Sequence, residues 1–326
     1  MLSFDSRSIR TWAHLGSCGA FGLAMCEAAE RDEDVVAVTA DLCTYSGLDR
    51  FRDAYPDRLF NVGIAEQNLV GVAAGMAKEG LVPFATTYGT FASARSLDQV
   101  RVSMGYMKLP VKLVGLTAGF SSGILGATHM SCEDLAIMRS IPNLVVLSPA
   151  DTTETVKATL AAAECDAPVY LRLTGVMGSP VVYKSDYDFR IGKAIRLREG
   201  SDVLVFATGP MVAESMKAAK LLAERGVESE VVDVHTLKPL DPDVVEEACS
   251  SAHVLVATVE EHSVIGGLGS AVAGAMAARG SARPLVFCGV NDFFPHAAPY
   301  GDLIRECGLT GDLIAERIAA ELERRN

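Results

Sequence analysis

Short β-branched runs alternate with longer, alanine-rich stretches along nearly the whole chain. The runs VVAVTA (35–40), LVPFATT (81–87) and VKLVGLTA (111–118) have the length and composition of buried strands. The stretch NLVGVAAGMAKEG (68–80) has apolar residues at helical spacing. Strands and helices that alternate in this way form βαβ units with parallel strands. The sequence therefore predicts an α/β fold.

This alternation is interrupted at residues 175–193. The segment GVMGSPVVYKSDYDFRIGK is rich in Gly, Ser, Pro and charge, which is typical of a linker. A length of 326 residues also favours two domains. We therefore predict a doubly wound domain over 1–180, a linker over 181–193 and a second doubly wound domain over 194–326. Strands of the second domain are predicted at 202–209, 227–237, 253–261 and 284–290.

Charge and composition exclude several classes of function. A formal net charge of −12, with no cluster of Lys and Arg, would repel nucleic acid. The chain has no run of about 18 apolar residues and no apolar signal segment at its start, so we expect a soluble cytoplasmic protein that binds no membrane. None of the eight cysteines forms a CxxC pair, which argues against a zinc or redox site.

The most informative candidate for chemistry is Glu66. It follows a Gly-containing turn and lies in the first turn of a predicted helix, where the helix dipole favours a negative charge. Taken alone, it could simply be an acid that starts a helix. Small residues in that helix allow close packing against another backbone, in a sheet or across a subunit interface, so we expect Glu66 to be buried. Burial without a cationic partner would raise its pKa and suit it to proton exchange. The small residues are Gly71, Ala73, Ala74, Gly75 and Ala77.

Four other residues have both a functional and a structural interpretation. Asp41 follows an apolar strand, at the end where ligands of α/β sheets bind, but could be a loop or capping residue. Tyr88 and Phe91 could form a flat apolar wall for a ring or could be core aromatics. His129 could exchange protons near neutral pH or could be a structural loop histidine.

Two C-terminal motifs are better explained by structure than by function. The glycines of GGLGS (266–270) favour close helix packing over phosphate binding. Glu260, Glu261 and His262 lack a second ligand group at metal-binding spacing, so we assign them to assembly and stability.

Several motifs occur in the order and spacing of a known family, and together they cover nearly the whole chain. On these motifs the sequence resembles the transketolase family of thiamine-diphosphate enzymes, which includes deoxyxylulose-phosphate synthases and the β subunits of 2-oxo-acid dehydrogenases. The motifs are ADL (40–42), FNVGIAEQN (60–68), TTYGTF (86–91), GATH (126–129), IPNLVVLSPAD (141–151) and VEEHSVIGGLG (259–269).

The resemblance implies a role for each candidate. Glu66 would hydrogen-bond N1′ of the cofactor's aminopyrimidine and favour the imino tautomer that deprotonates the thiazolium carbon. Tyr88 and Phe91 would stack against the aminopyrimidine, and His129 would face the reacting carbonyl. The resemblance also places three residues beside the cofactor: Asp41, Leu42 and Ile64.

The sequence departs from the family pattern at several positions. A third aromatic of classical transketolases falls at Ala94. A substrate-binding aspartate and a second histidine fall at Leu125 and Thr117. A phosphate-binding arginine falls near Leu173, although the adjacent Arg172 could replace it. The contacts to a sugar phosphate are therefore in doubt.

The motif that normally holds the cofactor's diphosphate is also missing. In this family a GDG motif followed by asparagine binds the diphosphate through Mg²⁺, and the chain contains no GDG. We therefore expect a partner subunit that carries the N-terminal domain of the family, with its diphosphate and Mg²⁺ site. The assembly most like known relatives is α2β2, in which neither subunit is active alone.

The sequence thus predicts one subunit of a split transketolase-like enzyme. It would transfer a two-carbon ketol or acyl unit from a ketose or a 2-oxo acid to an aldehyde, through a thiamine-diphosphate enamine. One alternative is the β subunit of a 2-oxo-acid dehydrogenase or of an acyloin-forming synthase. Another is a non-catalytic scaffold that has kept the fold.

Overall fold

Two β-sheets with helices on their faces make up the computed structural model, which describes residues 2–175 and 177–325. Val176, within the interrupted segment 175–193, lies outside the described residues. The predicted α/β class with two doubly wound sheets is confirmed, although each sheet carries one antiparallel strand at an edge.

The first sheet has seven strands in the order β10-β5-β6-β4-β3-β1-β2. Only β10 runs antiparallel to its neighbour, β5. The strands are β1 (Val35–Thr39), β2 (Leu59–Asn61), β3 (Val82–Tyr88), β4 (Lys112–Leu116), β5 (Val145–Leu147), β6 (Val169–Arg172) and β10 (Thr236–Lys238).

Helices cover both faces of this sheet because successive strand residues point to opposite sides. Val38 packs in one cluster with Leu69 of the third helix, whereas Ala37 packs in another with Phe21 of the first helix. The helices are α1 (Ser6–Arg31), α2 (Asp49–Ala54), α3 (Glu66–Lys78), α4 (Leu97–Gln99), α5 (Asp134–Ser140) and α6 (Thr152–Ala163). Wide π-type turns, Phe91–Arg95 and Val100–Tyr106, flank α4.

The second sheet has five strands in the order β12-β11-β8-β9-β7, with β7 antiparallel to β9. Its remaining strands are β7 (Ile195–Arg198), β8 (Val203–Ala207), β9 (Ser229–Asp233), β11 (Leu255–Ser263) and β12 (Leu285–Val290). Its helices are α7 (Met211–Ala223), α8 (Pro242–Ser250), α9 (Leu268–Ala278), α10 (Tyr300–Glu306) and α11 (Gly311–Glu323). None of the helices in the described ranges is long and apolar enough to cross a membrane.

The prediction of one strand over 227–237 is wrong, because this stretch contributes to both sheets. β9 ends at Asp233, and the Val234 N–H still donates to Ala207 of the second sheet (2.8 Å). The next carbonyl, that of His235, accepts from Ser148 N–H beside β5 (2.8 Å), and β10 then pairs with β5. A strand edge needs a hydrogen-bonding partner, and β10 satisfies the outer edge of β5. The stretch 227–237 mixes apolar and polar residues throughout, so its pattern does not show where one strand ends and the next begins.

The segment predicted as a linker has neither helix nor strand over 181–193, but it is packed. Asp151, which caps α6, accepts hydrogen bonds from the N–H groups of Val182 and Tyr183 (2.7 and 2.9 Å). The buried Tyr183 hydroxyl donates to Asp233 of β9 (2.7 Å). The segment therefore ties the first sheet's helix layer to the second sheet.

Candidate active site

The candidate residues lie at the carboxyl ends of three neighbouring strands. Strands β2, β1 and β3 are adjacent and parallel, so the residues that follow them meet at one edge of the sheet. Asp41 lies shortly after β1, Glu66 opens the helix that follows β2, and Tyr88 is the last residue of β3. This is the edge at which ligands of open α/β sheets bind.

Glu66 is buried, with an exposed fraction of 4%. It is the first residue of α3, so the backbone N–H groups and the dipole of that helix favour its negative charge. The small residues after it explain the burial, because Ala73, Ala74 and Ala77 pack closely under the sheet.

A cation that the sequence analysis missed contacts this carboxylate. The Nη1 atom of Arg95 lies 2.8 Å from Oε1 of Glu66, so the buried acid has a cationic partner. The guanidinium carbon of Arg95 also lies 3.8 Å from the centre of the Phe91 ring. No local pattern marks the contact with Glu66, because the two residues are 29 positions apart in the sequence.

Three rings form a cluster next to this pair. The ring centroids of Tyr88 and Phe91 are 6.0 Å apart, and His129 lies 5.6 Å from Tyr88 and 5.4 Å from Phe91. All three pairs meet edge to face, and burial raises the pKa of the Tyr88 hydroxyl. The structure thus brings His129 together with Tyr88 and Phe91, which lie far from it in the sequence.

The loop between β4 and α5 carries His129 toward the cluster. Gly119 and Ser131 exchange backbone hydrogen bonds of 2.9 and 3.1 Å, which close the base of the loop. The Thr128 hydroxyl lies 2.9 Å from Nδ1 of His129, so this hydrogen bond restricts the orientation of the ring. An oriented imidazole can move a proton to or from a group in front of it.

Asp41 has a partner that limits its freedom. Asn61 donates from Nδ2 to Oδ1 of Asp41 (2.8 Å) and accepts from the Asp41 N–H (3.1 Å). Asp41 has a φ of 61°, a left-handed conformation that Asp adopts more readily than most residues. The nearby Leu42 is half-buried, whereas Ile64 exposes 78% of its surface. An apolar side chain so exposed just after β2 is available to a ligand or partner.

Comparison with protein families assigns both halves of the chain. Residues 16–175 match the transketolase pyrimidine-binding domain, and residues 192–314 match the transketolase C-terminal domain. The chain belongs to the transketolase family. The resemblance deduced from the motifs is thereby confirmed.

Its relatives include a transketolase subunit of similar length and a synthase about twice as long. The 6-deoxy-6-sulfo-D-fructose transketolase subunit SqwH of Clostridium sp. (strain MSTE9) is 41% identical over 300 residues, covering 92% of each chain. A 1-deoxy-D-xylulose-5-phosphate synthase of Synechococcus sp. (strain JA-2-3B'a(2-13)) is 38% identical over 94% of this chain but only 47% of its own length. A solved structure described as a split gene transketolase, inactive beta4 tetramer, superposes with a TM-score of 0.85 at 41% identity, over 93% of this chain and 97% of that one.

The hypothesis that Arg172 replaces the transketolase phosphate-binding arginine is wrong. Arg172 is 1% exposed, and its Nε lies 2.8 Å from Oδ2 of the buried Asp134. It also donates to the carbonyls of Ser131 and Glu261 (3.0 Å each). This guanidinium is buried in the core, where its bond to Glu261 joins the two domains, and it is not available to a substrate.

None of the other departures from the transketolase pattern supplies a charged or aromatic side chain. Leu125 is half exposed on a short turn beside Ile124, which exposes 73% of its surface. The Thr117 hydroxyl accepts from Ser122 (3.0 Å) inside the His129 loop. Ala94 is exposed and adds no aromatic wall.

The C-terminal motifs have structural partners. Glu260 accepts hydrogen bonds from Leu268 and Gly269 at the start of α9 (2.7 and 2.8 Å), and Glu261 accepts from the Tyr300 hydroxyl (2.6 Å). Nowhere in residues 2–175 and 177–325 do three His, Cys, Asp or Glu side chains form a group that could hold a metal ion.

Proposed function

We propose that this chain is the subunit of a split transketolase-like enzyme that binds the aminopyrimidine of thiamine diphosphate. The observation that carries the proposal is the buried Glu66 at the start of α3, next to the Phe91 ring at an open sheet edge. A buried carboxylate can hydrogen-bond a nitrogen of a flat ring, and an aromatic face beside it can stack on that ring. Asp41, Leu42 and Ile64 would border the same ring.

The rest of the cofactor needs groups from elsewhere. Mg²⁺ prefers several oxygen ligands, and the described residues offer no suitable cluster. We therefore assign the diphosphate and Mg²⁺ to a partner subunit with a GDG motif. The split relatives and the half-length match to a single-chain synthase support this division.

Each candidate residue of this chain would have its own role in the proposed reaction. Glu66 holds a proton at N1′ of the aminopyrimidine, and Tyr88 and Phe91 keep the ring in place. When bound, thiamine diphosphate supplies a carbon nucleophile that attacks a carbonyl and accepts electrons as a carbon–carbon bond breaks. His129, oriented by Thr128, moves a proton to or from the substrate oxygen.

The partner would dock on the outward face of α3. Gly71 and Gly75 are exposed, and a Cβ at either position would meet no atom within 4 Å. A helix with no side chain at these two positions allows another backbone to approach closely there. The proposed assembly is α2β2, with domains at 1–180 and 194–326 joined by 181–193. All eight cysteines are free, which suits the reducing cytoplasm.

The reaction proposed is transfer of a two-carbon unit from a ketose or 2-oxo acid to an aldehyde. A second candidate is an acyloin-forming synthase reaction with a 2-oxo acid donor. The exposed Ile124 and Leu125 favour it, because they offer no hydrogen bond to the hydroxyls of a sugar donor. The similarity to a synthase also supports it.

Reconstitution tests the proposed function. The chain would be combined with a GDG-containing subunit, thiamine diphosphate and Mg²⁺, and ketose phosphates and pyruvate would be screened as donors by mass spectrometry. We expect a two-carbon transfer product from the mixture and none from either subunit alone. Assembly with no product from any donor would favour a scaffold and contradict the proposal.

A further inference from the structure

We propose that Arg95 occupies the aminopyrimidine position in the free subunit and must leave before the cofactor ring can bind. This inference rests on the proposed function, because it takes Glu66 and Phe91 as the two groups that receive the ring. Both are already engaged by one side chain. The Arg95 guanidinium contacts Glu66 at 2.8 Å and stacks on Phe91 at 3.8 Å.

A guanidinium shares two properties with the aminopyrimidine ring that are relevant to binding at this site. It is planar, so it stacks on an aromatic face, and its N–H groups donate to a carboxylate. Because Arg95 touches both partners at once, its guanidinium fills the space between Glu66 and Phe91. A ring that stacks on this face of Phe91 and bonds to Glu66 needs the same space.

The local backbone explains how Arg95 reaches this position and how it can leave. The wide turn Phe91–Arg95 is held by Ser96, whose N–H donates to the Phe91 carbonyl (3.2 Å) and whose hydroxyl donates to the Ala92 carbonyl (2.8 Å). Gln67 donates to the Arg95 carbonyl (3.3 Å). The backbone is therefore anchored, while the Arg95 side chain is 46% exposed. Rotation of the side chain alone would open the site.

The contact between Arg95 and Glu66 stabilises the free chain. A carboxylate buried without a partner is strongly unfavourable, so Arg95 stabilises Glu66 until the ring arrives. The same contact lowers the apparent affinity for the cofactor, because only the fraction of molecules with Arg95 turned away can bind. A partly exposed ion pair combined with one cation–π contact would reduce this fraction to about one tenth.

The test measures cofactor affinity in the reconstituted complex by isothermal titration of thiamine diphosphate with Mg²⁺. We expect Arg95→Ala to bind about tenfold more tightly than wild type. Arg95→Lys keeps the charge but loses the planar stack, and we expect an intermediate affinity. Arg101→Ala is the matched control, since Arg101 is also exposed and pairs with Asp98 one turn away from the site (2.8 Å).

The outcomes separate this inference from the proposed function. Unchanged or weaker binding by Arg95→Ala, in a wild-type complex that does bind the cofactor, would overturn the role of Arg95 alone. If the wild-type complex binds no thiamine diphosphate, both the inference and the proposed function fail.

Discussion

Two buried carboxylates, Glu154 and Asp233, lie where α6, the segment 181–193 and β9 meet. The Tyr187 hydroxyl donates to Glu154 (3.0 Å), and the Tyr183 hydroxyl donates to Asp233 (2.7 Å). Burial raises the pKa of Asp233 to about 7. Burial, followed by the charge of Asp233, raises the pKa of Glu154 well above its ordinary value. These groups make the stability of the molecule depend on pH.

The raised pKa of Asp233 determines whether the molecule becomes more or less stable as pH rises. Between about pH 4 and pH 7 the folded chain keeps a proton on Asp233 that the unfolded chain releases, so the free energy of unfolding falls as pH rises through this window. Asp233→Asn removes that titration and reduces the fall by up to about 1.4 kcal/mol per pH unit. Denaturant unfolding of wild type and Asp233→Asn at pH 5, 6 and 7 measures the change of the unfolding free energy with pH. The exposed Asp53→Asn serves as control, and an unchanged slope in Asp233→Asn would refute the assignment.

At the residue scale, the sequence predicted whether a side chain is buried better than it predicted which residue that side chain contacts. The small side chains after Glu66 predicted its burial, because packing density depends on local residue size. Arg95 was missed because a π-type turn, which no local pattern marks, brings it back over Phe91. Arg172 was misjudged because its ion pair with Asp134 joins two elements remote in sequence.

At the scale of elements, the two faces of α3 do different things. Its inner face packs under the first sheet through Leu69, Val70 and Ala73. Its outer face exposes Gly71 and Gly75, although glycine inside a helix costs about 0.5–1 kcal/mol relative to alanine. A Cβ at either glycine would meet no atom of the described chain within 4 Å, which fits a docking site for another subunit.

A large side chain on the outer face of α3 should prevent assembly with the partner without preventing folding. Gly75→Leu should fold, because a Cβ at this position meets no atom within 4 Å, but it should block close approach of the partner. We expect at least about a tenfold loss in affinity for the partner subunit, measured by analytical ultracentrifugation. Gly274→Leu is the matched control, since Gly274 is equally open on α9. Equal association of the two variants would show that α3 does not form the interface.

Most helices and strands could be predicted from the sequence because periodicity encodes burial. The stretch 227–237 could not, because apolar and polar residues are mixed through both of its strands and the pattern does not state which sheet each one joins. The same limit applies to β7, whose antiparallel pairing depends on β9 rather than on its own residues.

At the scale of the whole molecule, the two domains form one framework around a site that opens outward. Arg172 links β6 to α5 and β11, and the core of the first sheet continues into Phe206 and Val232 of the second. In the proposed assembly, the partner would cover the exposed Ile64 and the open glycine positions of α3.

The central claim is that Glu66 activates a cofactor that a second subunit helps to hold. The most direct test is the turnover number of the reconstituted complex carrying Glu66→Gln, compared with wild type at saturating cofactor. An amide can still hydrogen-bond but cannot hold the negative charge, so we expect turnover to fall by about 10²–10⁴-fold while the complex still assembles. Turnover within threefold of wild type would contradict the account.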